Sequence, residues 1–86
     1  MNIIDKETEF LDKKRIGYNL LRDAIKLVFE KNGKATLYKD IYVILAQKYN
    51  KTVDSVERDI RYILKKSGCN QSSKKFIKSV ADKLLN

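Results

Sequence analysis

The chain holds four arginines, and two of them, Arg58 and Arg61, lie one helical turn apart in the stretch TVDSVERDIRYILKK, Thr52 to Lys66. Val53, Val56, Ile60, Ile63 and Leu64 recur through it at steps of three and four, the spacing of one buried helix face. The opposite face carries Asp54, Glu57, Arg58, Arg61 and Lys65, mixed in sign but net basic. Such a segment is either a solvated amphipathic helix or a helix that inserts its charged side chains into a partner.

Chemistry of other kinds has little to work with. There is no histidine, which removes the commonest general base and metal ligand. Cys69 is the single cysteine, so neither an internal disulfide nor a zinc cluster can be assembled. Gly17, Gly33 and Gly68 lie too far apart for a phosphate-cradling loop. No carboxylates pair convincingly. The expectation is a non-enzyme with no cofactor and no metal.

Net charge is +8, unevenly spread. Asp5, Glu7, Glu9 and Asp12 against Lys6 leave the first 12 residues at −3, so the other 74 carry +11. Basic density of that order steers polyanions toward a surface, although lysine-rich surfaces also serve solubility. No run of about 18 apolar residues occurs, so no membrane span is expected. The opening MNIIDKETEF lacks the apolar core of a secretory signal. A cytoplasmic location follows as the simplest expectation.

The elements that must position the basic face are helical throughout. Residues 1–15 form an acidic arm or short helix, with Ile3, Ile4, Phe10 and Leu11 as anchors; residues 16–86 form the domain proper. A first long helix spans about Ile16 to Lys31, with Ile16, Leu20, Ala24, Leu27 and Val28 as its stripe, widened by Leu21, Ile25 and Phe29. Asn32-Gly33 stops it. Thr36 caps LYKDIYVILAQKYN, one helix or two. Leu37 and Ile41 suit a short first piece, while Val43, Ile44, Leu45, Ala46 and Tyr49 suit a second; much of this segment should be buried. After the YNKT break, Thr52 caps the basic helix and Asp54 complements its dipole. SGCNQSS ends it. Ser72 or Ser73 caps a last helix to Leu85, with Phe76, Ile77, Val80, Ala81, Leu84 and Leu85 inward. Two helices across a four-residue break, the second with a charged outer face, have the outline of a helix-turn-helix.

Three blocks sharpen that outline. GYNLLRDAI, Gly17 to Ile25, is similar to a first helix reading G-Y-x-Y-L-R-E-A-I. VERDIRYIL, Val56 to Leu64, is similar to a recognition helix reading V-E-R-A-I-R. FIKSVADKLL, Phe76 to Leu85, is similar to a last helix reading F-I-x-x-V-A-D-K-L. In this order they resemble the C-terminal DNA-binding domain of the stage-zero sporulation response regulator of Bacillus and Clostridium. The resemblance covers about 70 residues, from Ile16 onward.

That resemblance implies a recognition helix, about residues 53–66, in the major groove of duplex DNA. Glu57 and Arg58 would face base edges, and Arg61 bases or backbone. The chemistry agrees: an arginine fork donates to guanine O6 and N7, and a glutamate accepts from a cytosine amino group. The bland alternative is an intrahelical Arg61–Glu57 ion pair. Lys48, Lys51 and Lys65 flank the helix as phosphate contacts. Thr52 and Ser55 at its N-terminus suit phosphate too, with Thr52 also suited to capping. The family also implies two copies on tandem sites, meeting through Phe76, Ile77, Val80, Ala81, Leu84 and Leu85.

The departures matter as much. The family's receiver domain has no room in 86 residues, so aspartyl phosphorylation is not the expected switch. A proline that opens the family's first helix-turn-helix helix is replaced in DIYVILA, where Tyr42 and Val43 stand. SGCNQSS replaces a longer segment that helps the family contact a polymerase sigma factor. The reading is therefore an all-α domain of about five helices with a central helix-turn-helix. It would act as a free-standing, sequence-specific DNA-binding regulator, as repressor or site competitor rather than activator. A plasmid or phage accessory protein is one alternative; a protein-interaction module with a basic face is another, of a different class.

Overall fold

The second helix is apolar around most of its circumference, and the fold is built on it. The computed structural model describes residues 3–31 and 37–85, with the side chains of all of these except Leu37, Tyr38 and Leu85. Five helices follow in order: α1 (Ile3–Glu7), α2 (Ile16–Glu30), α3 (Tyr42–Lys48), α4 (Val53–Lys66) and α5 (Ser73–Leu85). A single wide turn of π type, Leu37–Ile41, leads directly into α3. The described residues contain no strand, and no helix among them is long and apolar enough to cross a membrane. The expected stops at Asn32-Gly33 and Thr36 lie outside the described residues.

Gly17, Tyr18, Leu20, Leu21, Ala24, Ile25 and Val28 of α2 are buried. A helix with so wide an apolar stripe must be covered on more than one side, and α2 packs against both α4 and α5. The stripe expected from Ile16 to Phe29 is therefore shifted at its ends. Ile16 and Phe29 are exposed, and Tyr18 is buried in their stead.

The segment 37–48 is one continuous helical stretch with a wide first turn. Its continuous apolar run suggested general burial, but Val43 and Ile44 point outward while Ile41, Tyr42, Leu45 and Ala46 are buried. A helix packed on one side by α4 can bury only one stripe. Tyr42, not Val43 or Ile44, completes it.

Residues 3–11 are docked. Ile4 and Leu11 are buried, Ile3 packs partly against the core, and Phe10 lies edge-on to Phe76 at 6.0 Å between centroids. Thr8 is fully buried and donates its hydroxyl to the Ile4 carbonyl at 2.7 Å. Two ion pairs fasten the acidic charge to other helices: Asp5 to Arg22 of α2, and Glu7 to Lys83 of α5.

On α5, Phe76, Ile77, Val80 and Ala81 are all buried. The row of Phe76 and Val80 and the adjacent row of Ile77 and Ala81 merge into one broad stripe, because α5 meets both α2 and α1. Of the six residues expected at a contact between copies, these four are occupied by the core. Leu84 is partly buried, and the Leu85 side chain lies outside the described residues.

Candidate nucleic-acid interface

The turn between α3 and α4 is locally determined. Asn50 takes a left-handed φ of 54°, a conformation asparagine tolerates. Lys51 N–H then donates to the Ala46 carbonyl at 2.8 Å and Asn50 N–H to the Gln47 carbonyl, the paired bonds of a Schellman motif. One residue later Thr52 Oγ1 accepts from Ser55 N–H at 3.0 Å and starts α4. The α4 C-terminus repeats the device. Gly68 has φ +82°, Cys69 N–H donates to Leu64 O, and Gly68 N–H to Lys65 O.

Between these caps α4 buries Val56, Ile60, Ile63 and Leu64. Its outward face carries Asp54, Arg58, Arg61, Tyr62, Lys65 and Lys66, all exposed. What seats the helix is Gly17 of α2. A Cβ there would stand 2.5 Å from the Asp59 carbonyl oxygen and 3.2 Å from Ile63 Cβ. Glycine lets the two helices touch backbone to backbone, and that close crossing holds the basic face outward.

The expected contacts are differently placed along this face. Arg58 is exposed, and among the described residues its guanidinium meets only the neutral Ser55 hydroxyl, at 3.3 Å. Arg61 pairs with Glu57 at 3.2 Å. The Glu57 side chain is only 17% exposed and lies on the flank of α4, so it presents far less to a partner than the spacing suggested. Lys65 is exposed and free to reach outward. Lys51, 29% exposed, has its ammonium 3.1 Å from Asp59 Oδ2, close enough to pair but off the line of a hydrogen bond, so that this buried oxygen has none. Lys48 donates to Asp23 at 2.9 Å. Thr52 serves as the cap, and Ser55 accepts from Arg58.

Asp23 also accepts a hydrogen bond from the Tyr49 hydroxyl. Burial would raise the Asp23 carboxyl, but the bonds from Tyr49 and Lys48 outweigh it and hold the group below the usual carboxylate range. Burial, reinforced by the anionic acceptor, pushes the Tyr49 phenol up to about 12. This triad ties α2 to the end of α3, so the turn before α4 is braced from the side.

Three exposed residues escaped the spacing argument. Tyr62 and Lys66 share the outward face of α4, and Arg15 of the segment ahead of α2 lies over the Tyr62 ring at 5.3 Å. Tyr62 sits four residues after Arg58, which is signal enough to place it on that face.

The architecture, the paired caps and the outward basic helix are those of a helix-turn-helix. The family model for the sporulation initiation factor Spo0A C-terminal domain matches residues 10–85 of this chain. The chain belongs to the Spo0A C-terminal family. Spo0A C-terminal domains are DNA-binding domains of a sporulation transcription regulator, and duplex DNA is the partner class of the family. Against curated proteins, the chain has no match. Within the Spo0A C-terminal match fall both helices of the turn, Gly17 and the whole of the basic face, whereas α1 lies ahead of it.

Proposed function

We propose that this domain binds duplex DNA sequence-specifically, with α4 in the major groove. The observation that supports this most is Arg58: an exposed guanidinium on the outward face, held among the described residues by nothing stronger than a neutral hydroxyl. Its fork is free to meet guanine O6 and N7. Arg61 reads bases or backbone beside it, oriented by Glu57, which acts mainly through that ion pair. Lys65 contacts phosphate. Lys48 and Lys51 add electrostatic attraction while remaining tied to Asp23 and Asp59.

The domain acts in the cytoplasm as a repressor or a competitor for sites rather than as an activator. The connection from α4 to α5, residues 67–72, is short, and the resemblance assigns sigma-factor contact to a longer segment at that point.

Selection of bound sequences from a random duplex pool tests the core of this reading. Enrichment of a short motif is expected. No enrichment would favour a protein-interaction module instead. A reporter with the selected site upstream of a weak promoter should show no induction, and repression where site and promoter overlap.

A further inference from the structure

Tyr62 has no packing reason to be where it is. The core is closed beneath α4 by Val56, Ile60, Ile63 and Leu64, yet this ring stands on the outward face, 48% exposed. Its neighbour is the guanidinium of Arg15, 5.3 Å from the ring centroid. Arg15 ends the run Lys13-Lys14-Arg15, three exposed cations in succession just ahead of α2.

That run is held in place. Asp12 accepts from Lys14 N–H at 3.0 Å and lies 3.5 Å from Arg15 Nε, which shapes the turn and offsets one of its three charges. The close approach at Gly17 brings the start of α2 against the flank of α4. The nearby Asp59 carboxylate is matched by Lys51. A net positive surface is left beside the helix, with one guanidinium held over an aromatic ring. A cation held over a ring face is positioned by it, and the ring takes none of its N–H donors.

We propose that Lys14 and Arg15 form a second DNA contact, a phosphate clamp on one strand of the duplex, with Tyr62 as the residue that positions Arg15. This rests on α4 lying in the major groove. A helix seated there has a phosphate backbone along each flank. Arg15 stands beside α4 rather than on it, so it meets that backbone and not base edges. The fork of arginine matches two phosphate oxygens, and the contact carries no sequence information.

Fluorescence anisotropy with the full chain tests the clamp, on the preferred duplex and on a scrambled one, across a salt series. Arg15→Ala should weaken both duplexes alike, by roughly 3–10-fold, and lower the salt slope by about one. Lys14→Ala with Arg15→Ala should lower the slope by about two. Tyr62→Phe should behave as wild type, because the ring is kept. Tyr62→Ala should lose part of what Arg15→Ala loses, and the double variant should be no weaker than Arg15→Ala alone. Both side chains are exposed, so thermal midpoints should hold; if Arg15→Ala melts early, Arg15→Gln takes its place.

An unchanged salt slope in the Arg15 variant would overturn the clamp, as would full additivity of the Arg15 and Tyr62 losses. Arg58→Ala separates the two levels. If it flattens base preference while Arg15→Ala changes nothing, only the clamp falls. If wild type shows no preferred duplex at all, the placement of α4 falls with it.

Discussion

At the level of single residues, the outward face divides into groups that read and groups that hold. Arg58→Ala should cost about 1–3 kcal/mol on the preferred site and flatten base preference at one position, measured by repeating the selection with the variant. Lys65→Ala should weaken every duplex similarly and lower the salt slope by about one, measured by anisotropy against salt. The Tyr49–Asp23–Lys48 triad makes a different prediction. The Tyr49 phenol, normally near 10, is pushed up to about 12, so its bond stabilises the fold fully below pH 10 and is lost between pH 10 and 12 as the phenol ionises. Asp23 has the opposite sign: its lowered carboxyl contributes at neutral pH and loses that contribution as pH falls below about 4. Thermal midpoints against pH should therefore fall between pH 10 and 12 in wild type, and less steeply in Tyr49→Phe. Equal alkaline slopes for the two proteins would contradict the assignment.

At the level of elements, the crossing of α2 and α4 is the most sensitive joint. In Gly17→Ala a methyl group would meet the Asp59 carbonyl oxygen at 2.5 Å, which no rotamer can relieve because the obstacle is backbone. The helices must separate, at a cost of about 1–3 kcal/mol. The same movement displaces Arg58 and Arg61, so affinity for the preferred duplex should drop even in the folded fraction; chemical denaturation and anisotropy on one sample would show both. The sequence pattern made most elements readable. Thr52 as a cap, the buried stripe of α4 and the start of α5 after Ser72 all depend on residues within four positions of each other. The pattern failed where burial depends on neighbours. Val43 and Ile44 looked as apolar as Leu45, but α4 covers only one side of α3. Ile16 and Phe29 lie at the two edges of the α2 apolar stripe, and the neighbouring helices close over its middle.

At the level of the whole molecule, one recognition helix spans too few base pairs to select a site in a genome, so paired binding on adjacent boxes is expected. Because Phe76, Ile77, Val80 and Ala81 are buried, a contact between copies through α5 cannot rest on those four, and Leu84, partly buried, is the described apolar residue of the set left to it. A duplex with two adjacent boxes should bind more tightly per site than one box, and Leu84→Glu should remove the difference while single-box binding persists. Equal per-site affinity in wild type would end the idea. Helical period, caps, charge balance and the exposure of Arg58 and Lys65 were legible from local spacing, since a helix turns through a set angle per residue whatever surrounds it. Occupancy was not. Lys48 held by Asp23, Lys51 beside Asp59 and Arg15 against Tyr62 follow from how α2, α3 and α4 cross. Those crossings bring together residues distant in the chain, and no periodicity within a helix encodes which flank of α4 the start of α2 will touch. That depends on a contact only glycine permits, between Gly17 and the backbone of Asp59.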